Sequence, residues 1–255
     1  MPLDLVTIPC LKDNYAFLIH DANSGATAVI DVPDAAPVLA ALETRGWQLS
    51  DILITHHHDD HIAGVDALRA ATGAKVWGAK ADAHRLPRLD HALTEGDTVT
   101  IGAHGGTVFD VSGHTVGHIA FHFPGSGLVF TADSLMAAGC GRLFEGSPDV
   151  MWASLSKLAA LPPETLVCSG HEYTLSNICF ALSLEPDNPA LISRFKRVTA
   201  AREDVRPTVP STLSEELATN PFLRAAFPEL KAAVGMAGAS DAEVFTEIRK
   251  RKDRF

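Results

Sequence analysis

Short apolar runs of two to five residues, set apart by Gly, Asp and Pro, recur along the first two thirds of the chain. Runs at Val29–Ile30, Asp51–Thr55, Lys75–Trp77, Thr98–Ile101, Thr107–Val111, Ile119–Phe123, Leu128–Ala132 and Leu166–Cys168 predict strands. Pro124 to Gly127, reading PGSG, predicts a hairpin between the sixth and seventh of them. Two helices are expected among the strands. One covers roughly Ala63–Thr72 and is closed by Gly73. The other opens on Ser147 and Pro148, puts Met151, Leu155 and Leu158 on one face and stops at Pro162 and Pro163. Beyond about residue 172 the period changes. Leu175, Ile178, Cys179 and Leu182 recur at helical spacing, as do Leu191, Phe195 and Val198, and Ser240 with Glu243 forms a capping box ahead of a last helix. A layered α/β domain followed by a mostly helical section is therefore expected.

Composition narrows the function classes. The 255 residues are 46% hydrophobic, enough for a substantial core, and no apolar run approaches the ~20 residues needed to cross a bilayer. The start of the chain has no basic segment ahead of an apolar one and is not expected to be a signal peptide. A net charge of −10 argues against nucleic acid as a partner. Cys10, Cys140, Cys168 and Cys179 form no C-x-x-C pair, a usage that fits a reducing cytosol. No G-x-S-x-G elbow occurs, which disfavours a serine nucleophile.

Histidine carries the chemistry. The strand at 51–55 runs into His56, His57, His58, Asp59, Asp60 and His61. Residues two apart in an extended chain point the same way, so His56 and His58 can share one metal ion, while Asp60 and His61 can face a second. Imidazole and carboxylate without thiolate suit zinc, iron or manganese. A solvated polar loop is the bland alternative, but four ligand-type residues in six positions exceed what such a loop needs. Three later strands each end on a small residue and then a ligand type: His114, Asp133 and His171. Ligands converging on one rim of a sheet are what an α/β site requires. His57 alternates away from its neighbours, and His118 and His122 are expected to hydrogen-bond rather than ligate.

These residues resemble the H-x-H-x-D-H signature, with its separate His, Asp and His ligands, of the metallo-β-lactamase superfamily. The resemblance implies a four-layer αββα sandwich over residues 1–171. It assigns His56, His58 and His114 to one metal, Asp60, His61 and His171 to the other, and Asp133 to both. Further stretches look like the glyoxalase II (hydroxyacylglutathione hydrolase) family: 55–58 (THHH), 139–142 (GCGR), 144–146 (FEG), 170–174 (GHEYT), 185–189 (EPDNP), 220–222 (NPF) and 249–253 (RKRKD). Residues 172–255 are then an α-helical glutathione-binding domain, with Arg142, Tyr173, Arg249 and Lys252 at the positions that hold glutathione. Phe144 stands where the family places a Tyr, and Arg142 where it places a Lys.

The implied activity is hydrolysis of S-(2-hydroxyacyl)glutathione, chiefly S-D-lactoylglutathione, to glutathione and D-lactate, the second step of methylglyoxal detoxification. It would run through a hydroxide bridging two divalent ions, most simply Zn²⁺, with Asp60 and Asp133 as catalytic carboxylates. Five of the six residues 249–254 are basic, which suits a substrate with two carboxylates, although helix-dipole compensation explains two or three of them. The expected enzyme is a cytoplasmic monomer without nucleic-acid or membrane partners. The rival readings are a persulfide dioxygenase with a single iron on His56, His114 and Asp133, and a non-catalytic metal-binding protein.

Overall fold

The computed structural model describes residues 1–255, which form two compact units: residues 1–111 with 116–132, and residues 112–115 with 133–255. The first unit holds β1 (Asp4–Cys10), β2 (Asn14–His20), β3 (Thr27–Ile30), α1 (Ala35–Arg45), β4 (Asp51–Leu53), α2 (Asp59–Ile62), α3 (Val65–Thr72), β5 (Lys75–Ala79), β6 (His91–Leu93), β7 (Thr98–Ile101), β8 (His104–Asp110), β9 (Ile119–Phe123) and β10 (Leu128–Ala132). Strands β1 to β6 make one sheet in sequence order, antiparallel through β3 and parallel from β3 to β6. Strands β7 to β10 form an antiparallel meander, and β9 and β10 meet through the hairpin expected at 124–127.

The central strands β3 and β4 are buried on both faces and so lack alternation. Val29, Ile52, Ile54 and Val76 pack with Val38 and Leu42 of α1 and Val65 and Leu68 of α3. The His-rich segment leaves β4, a central strand of this sheet, so its departure point is held rigidly.

Most expected strands are present, with corrections. The strand at 51–55 is ordered as ladder only to Leu53. The helix expected at 63–72 is two: α2 starts at Asp59, and α3 starts at Val65 and closes at Gly73. They break at Gly64, where a Cβ would lie 2.6 Å from the backbone nitrogen of Ala35, so only glycine lets the chain pass α1 this closely. Helix α1 was not expected; its Ala-rich sequence has little contrast between faces, and only the Asp34 cap, accepting from the Ala36 N–H, marks its start. Strands β1 and β2 were not expected either. Pro9 interrupts the pattern of β1, tolerable because β1 is the edge of its sheet, and β2 is buried along its whole length.

The second unit holds β11 (Leu135–Met136), β12 (Gly139–Cys140), α4 (Pro148–Ala159), β13 (Leu166–Ser169), α5 (Thr174–Leu184), α6 (Pro189–Glu203), β14 (Ser211–Thr212), α7 (Leu213–Thr219), α8 (Pro228–Ala233) and α9 (Asp241–Arg254). Helix α4 begins at the Ser147 cap and α9 carries the Ser240–Glu243 capping box, both as expected. Ile178 and Ala181 of α5 pack on Leu191 and Val198 of α6 and on Ala138. The tight hairpin β11–β12 had no sequence signal.

Candidate metal centre

Each unit holds its own set of His and Asp side chains. In the first unit, Asp31 follows β3 at φ 55°, a left-handed conformation that Asp accepts more readily than most residues. Its carboxylate is 2% exposed and organises the His-rich segment. It accepts from the Thr55 N–H and the Thr55 hydroxyl, each at 2.8 Å, and from His61 Nδ1 at 2.8 Å. With its proton given to Asp31, the Thr55 hydroxyl oxygen accepts from His56 Nδ1 at 3.0 Å. One carboxylate thereby keeps both imidazoles protonated on Nδ1 and turns both Nε2 lone pairs to other work, the arrangement that metal-bound histidine requires. Asp31, His56 and His61 each bring one potential ligand atom within 4.8 Å of the others, but Asp31 acts on the Nδ1 side of the rings.

His56 Nε2 stands 3.2 Å from His58 Nδ1. Two ligands of one tetrahedral zinc, each ~2.0–2.2 Å from it, stand roughly 3.3–3.6 Å apart, so the pair is slightly closer than, but near, the spacing of a shared ion. Asp60 lies 3.9 Å from His61 Nε2, and its Oδ2 accepts from Asn14 Nδ2 at 2.9 Å. Asn14 also donates to the Asp60 carbonyl at 3.0 Å, so a buried amide at the start of β2 fixes both ends of that residue. His118 stacks on His56, and His57 turns aside to the buried Asp82, so neither competes for these positions.

In the second unit, Asp133 lies between two imidazoles. Its Oδ2 is 3.5 Å from His114 Nε2 and its Oδ1 is 3.4 Å from His171 Nε2. Both distances match the edge of a coordination tetrahedron, and the two oxygens serve different histidines, as a bridging carboxylate must. His114 donates Nδ1–H to the Arg142 carbonyl at 2.7 Å, which again leaves Nε2 as the lone-pair atom. At Gly141 a Cβ would lie 2.1 Å from the Asp133 carbonyl and 2.7 Å from His114 Nδ1, so a side chain there would push on two candidate ligands at once.

Comparison with known proteins places this geometry. The family described as the metallo-beta-lactamase superfamily matches residues 14–171, and the hydroxyacylglutathione hydrolase C-terminus matches residues 172–255. A curated relative from Cereibacter sphaeroides, named hydroxyacylglutathione hydrolase, is 69% identical over 255 residues and covers 100% of both chains. The chain belongs to the hydroxyacylglutathione hydrolase family. Among solved structures, ETHE1 from Myxococcus xanthus is similar with a TM-score of 0.68 at 25% identity, over 98% of this chain and 90% of that one. The TTHA1623 protein, solved in a di-iron-bound form, gives 0.60 at 27% identity over 86% and 100%.

The expected fold class is thus borne out: a metallo-β-lactamase α/β domain followed by the helical domain of the hydroxyacylglutathione hydrolase family. That family and the His/Asp sets together indicate a dinuclear metal site. No helix is long and apolar enough to cross a membrane.

The residues expected to hold glutathione lie in the second unit. Tyr173 stacks on His171 at 4.6 Å between ring centroids, and Phe144 meets His114 edge-on at 5.3 Å. Both aromatics are exposed. Arg249 is 4% exposed; its guanidinium donates to the Cys140 carbonyl at 3.0 Å and pairs with Asp253 at 2.8 Å. Lys252, three residues on, donates to the Ser176 carbonyl at 3.3 Å, and its ammonium lies over the Phe180 and Phe255 rings at 5.2 and 5.3 Å. Burial, then the charges of Arg249 and Arg142, lower its pKa to about 8. The ammonium is still the main form at neutral pH. Asp31, Thr55 and Asn14 escaped the sequence reading, although Asp31 follows an apolar run in the same strand-then-carboxylate form as Asp133.

Proposed function

We propose that the chain hydrolyses S-(2-hydroxyacyl)glutathione, chiefly S-D-lactoylglutathione, to glutathione and D-lactate. The observation that carries this is full-length identity of 60–69% to relatives named hydroxyacylglutathione hydrolase. All seven candidate ligands lie in the stretch matched by the metallo-beta-lactamase superfamily. In this reading residues 1–171 carry the metals and residues 172–255 bind glutathione. His56, His58 and His114 would hold one ion, Asp60, His61 and His171 the other, and Asp133 would serve both. The all-nitrogen-and-oxygen donor set supports Zn²⁺, with Fe or Mn as substitutes. A bound pair supplies Lewis acidity and a lowered water pKa at neutral pH.

The protein's own groups supply orientation. Asp31, through Thr55, keeps the Nδ1 protons of His56 and His61 in place, and the Arg142 carbonyl does so for His114. Asp60, steadied by Asn14, is positioned to accept a proton from the attacking water. Arg142, Lys252 and Arg249 form a cationic group for the glutathione carboxylates, with Tyr173 beside them. Phe144 has no hydroxyl and adds only apolar contact. The enzyme is taken to act as a cytoplasmic monomer, on its cysteine usage and acidic charge.

The names of the full-length relatives do not favour the persulfide dioxygenase alternative. The test is hydrolysis of S-D-lactoylglutathione by metal-analysed protein, with a coenzyme A thioester as comparator. The reading expects turnover of the glutathione thioester and two metals per chain. A fully metallated protein inert toward it, or one iron per chain with sulfur oxidation, overturns the reading.

A further inference from the structure

The hairpin Leu135–Cys140 stands between two residues that matter to the metal centre, Asp133 and Arg142. At its base the Gly141 N–H donates to the Asp133 carbonyl at 2.9 Å, and the next residue's carbonyl takes the His114 Nδ1 proton. Side chains of the helical section hold four of the hairpin's carbonyls. Asn220 Nδ2 donates to the carbonyls of Met136 and Gly139 at 3.1 and 2.9 Å, and Asn177 to that of Ala137 at 3.0 Å. Arg249 holds the carbonyl of Cys140.

The remaining tip residue, Ala138, sits at φ 55°, a left-handed conformation that a non-glycine residue keeps only where its surroundings impose it. What holds its N–H is Glu216 of α7, whose Oε2 accepts it at 2.7 Å. Glu216 is fully buried and accepts from four donors in all: Ala138 N–H, Asn220 Nδ2, Ser211 Oγ and Arg194 Nη2. That fills the ~four lone-pair sites of a carboxylate. Arg194, itself 1% exposed, supplies the countercharge and is held by Thr219 Oγ1 at 2.7 Å.

We propose that Glu216 is a positioning residue for the metal ligands: by fixing the tip of the Leu135–Cys140 hairpin it sets the backbone that carries Asp133 and orients His114. The inference rests on the dinuclear reading above. It gives the helical section a role in metal affinity besides substrate binding. No slack absorbs a shift of the hairpin, because Gly141 already packs against both Asp133 and His114.

Glu216→Gln keeps the shape but must turn an amide N–H₂ toward existing donors, on one side Ala138 and Asn220, on the other Arg194. Zn²⁺ affinity, measured by competition with a chelator, is expected to fall about 10–100-fold, and excess Zn²⁺ to restore turnover. Should that variant fail to fold, Glu216→Asp retains the charge opposite Arg194 but withdraws the oxygen from Ala138, and the same loss of Zn²⁺ affinity is expected. Ser211→Ala removes a donor on the side away from the hairpin, and its Zn²⁺ affinity should match the unmodified chain. A purely structural Glu216 would lower the urea midpoint of its variants and leave Zn²⁺ affinity alone, which overturns the proposal. An unmodified chain that binds fewer than two Zn²⁺ ions overturns the dinuclear reading and this proposal with it. Two tightly held ions in every variant overturn this proposal only.

Discussion

Replacing Asp31 by Asn changes one atom, and no orientation of the new amide satisfies the groups around it. With its NH₂ in the place of Oδ2, the amide donates toward His61 Nδ1, now 2.8 Å from a carboxylate oxygen. The imidazole can accept only by moving its proton to Nε2, the atom that ligation needs. The same NH₂ faces the Thr55 hydroxyl, which would then accept from the amide and give its own proton to His56 Nδ1, reversing that ring too. With the amide flipped, its NH₂ instead opposes the Thr55 backbone N–H at 2.8 Å. Each arrangement leaves a buried donor facing a donor, or a ligand in the wrong tautomer, at a cost of about 1–3 kcal/mol. That corresponds to a loss of roughly 10–100-fold in metal affinity. Competition titration with a chelator and Zn²⁺ reads the loss directly, and a thermal melt of the metal-free protein separates it from reduced stability. Zn²⁺ affinity equal to that of the unmodified chain, in a folded Asp31→Asn variant, would refute the tautomer chain.

Three further outcomes are expected. Asp133→Ala should hold at most one metal per chain and lose nearly all turnover, and full two-metal loading by elemental analysis would refute its bridging role. Gly141→Ala, whose Cβ has no room beside the Asp133 carbonyl, should fold with weakened Zn²⁺ binding; an unchanged titration would show the contact to be soft. Lys252 has a pKa depressed to about 8, so its charge is present below that pH and lost above it. KM for the glutathione thioester should therefore rise as pH climbs through about 8. Lys252→Arg should flatten that rise, and a parallel rise in both proteins would show that another group is responsible.

The ligand types could be read before any coordinates because metal chemistry restricts them to few residues. Strand ends then place them, as at His56, His114 and His171. What stayed hidden was the support behind them. Asp31, Thr55 and Asn14 are ordinary strand-end residues in the sequence, and their roles depend on which strands lie side by side: β3 beside β4 brings Asp31 to Thr55. Strands β1 and β2 were missed for a related reason: a segment buried along its whole length, or at a sheet edge with a proline, loses the alternation that periodicity detects. Helix α1 was missed because its Ala-rich faces differ little. The hairpin at 135–140 had no turn residue to announce it, since its left-handed tip is an alanine held there by Glu216.

Support of this kind recurs at each of three candidate ligand histidines. His56 and His61 are held by a side-chain carboxylate, directly or through a hydroxyl, within the first unit. His114 is held by a backbone carbonyl, that of Arg142, in the second. A carboxylate defends the tautomer by charge and is lost by a one-atom substitution. A carbonyl cannot be substituted and is lost only if the backbone moves. The two candidate sets should therefore fail differently: the first through a single side chain such as Asp31, Thr55 or Asn14, the second through any residue that lets the hairpin ahead of Arg142 shift, including Glu216 and Asn220 of the helical section. Substitutions remote in sequence from every ligand should then weaken metal binding when they touch the hairpin and spare it when they do not.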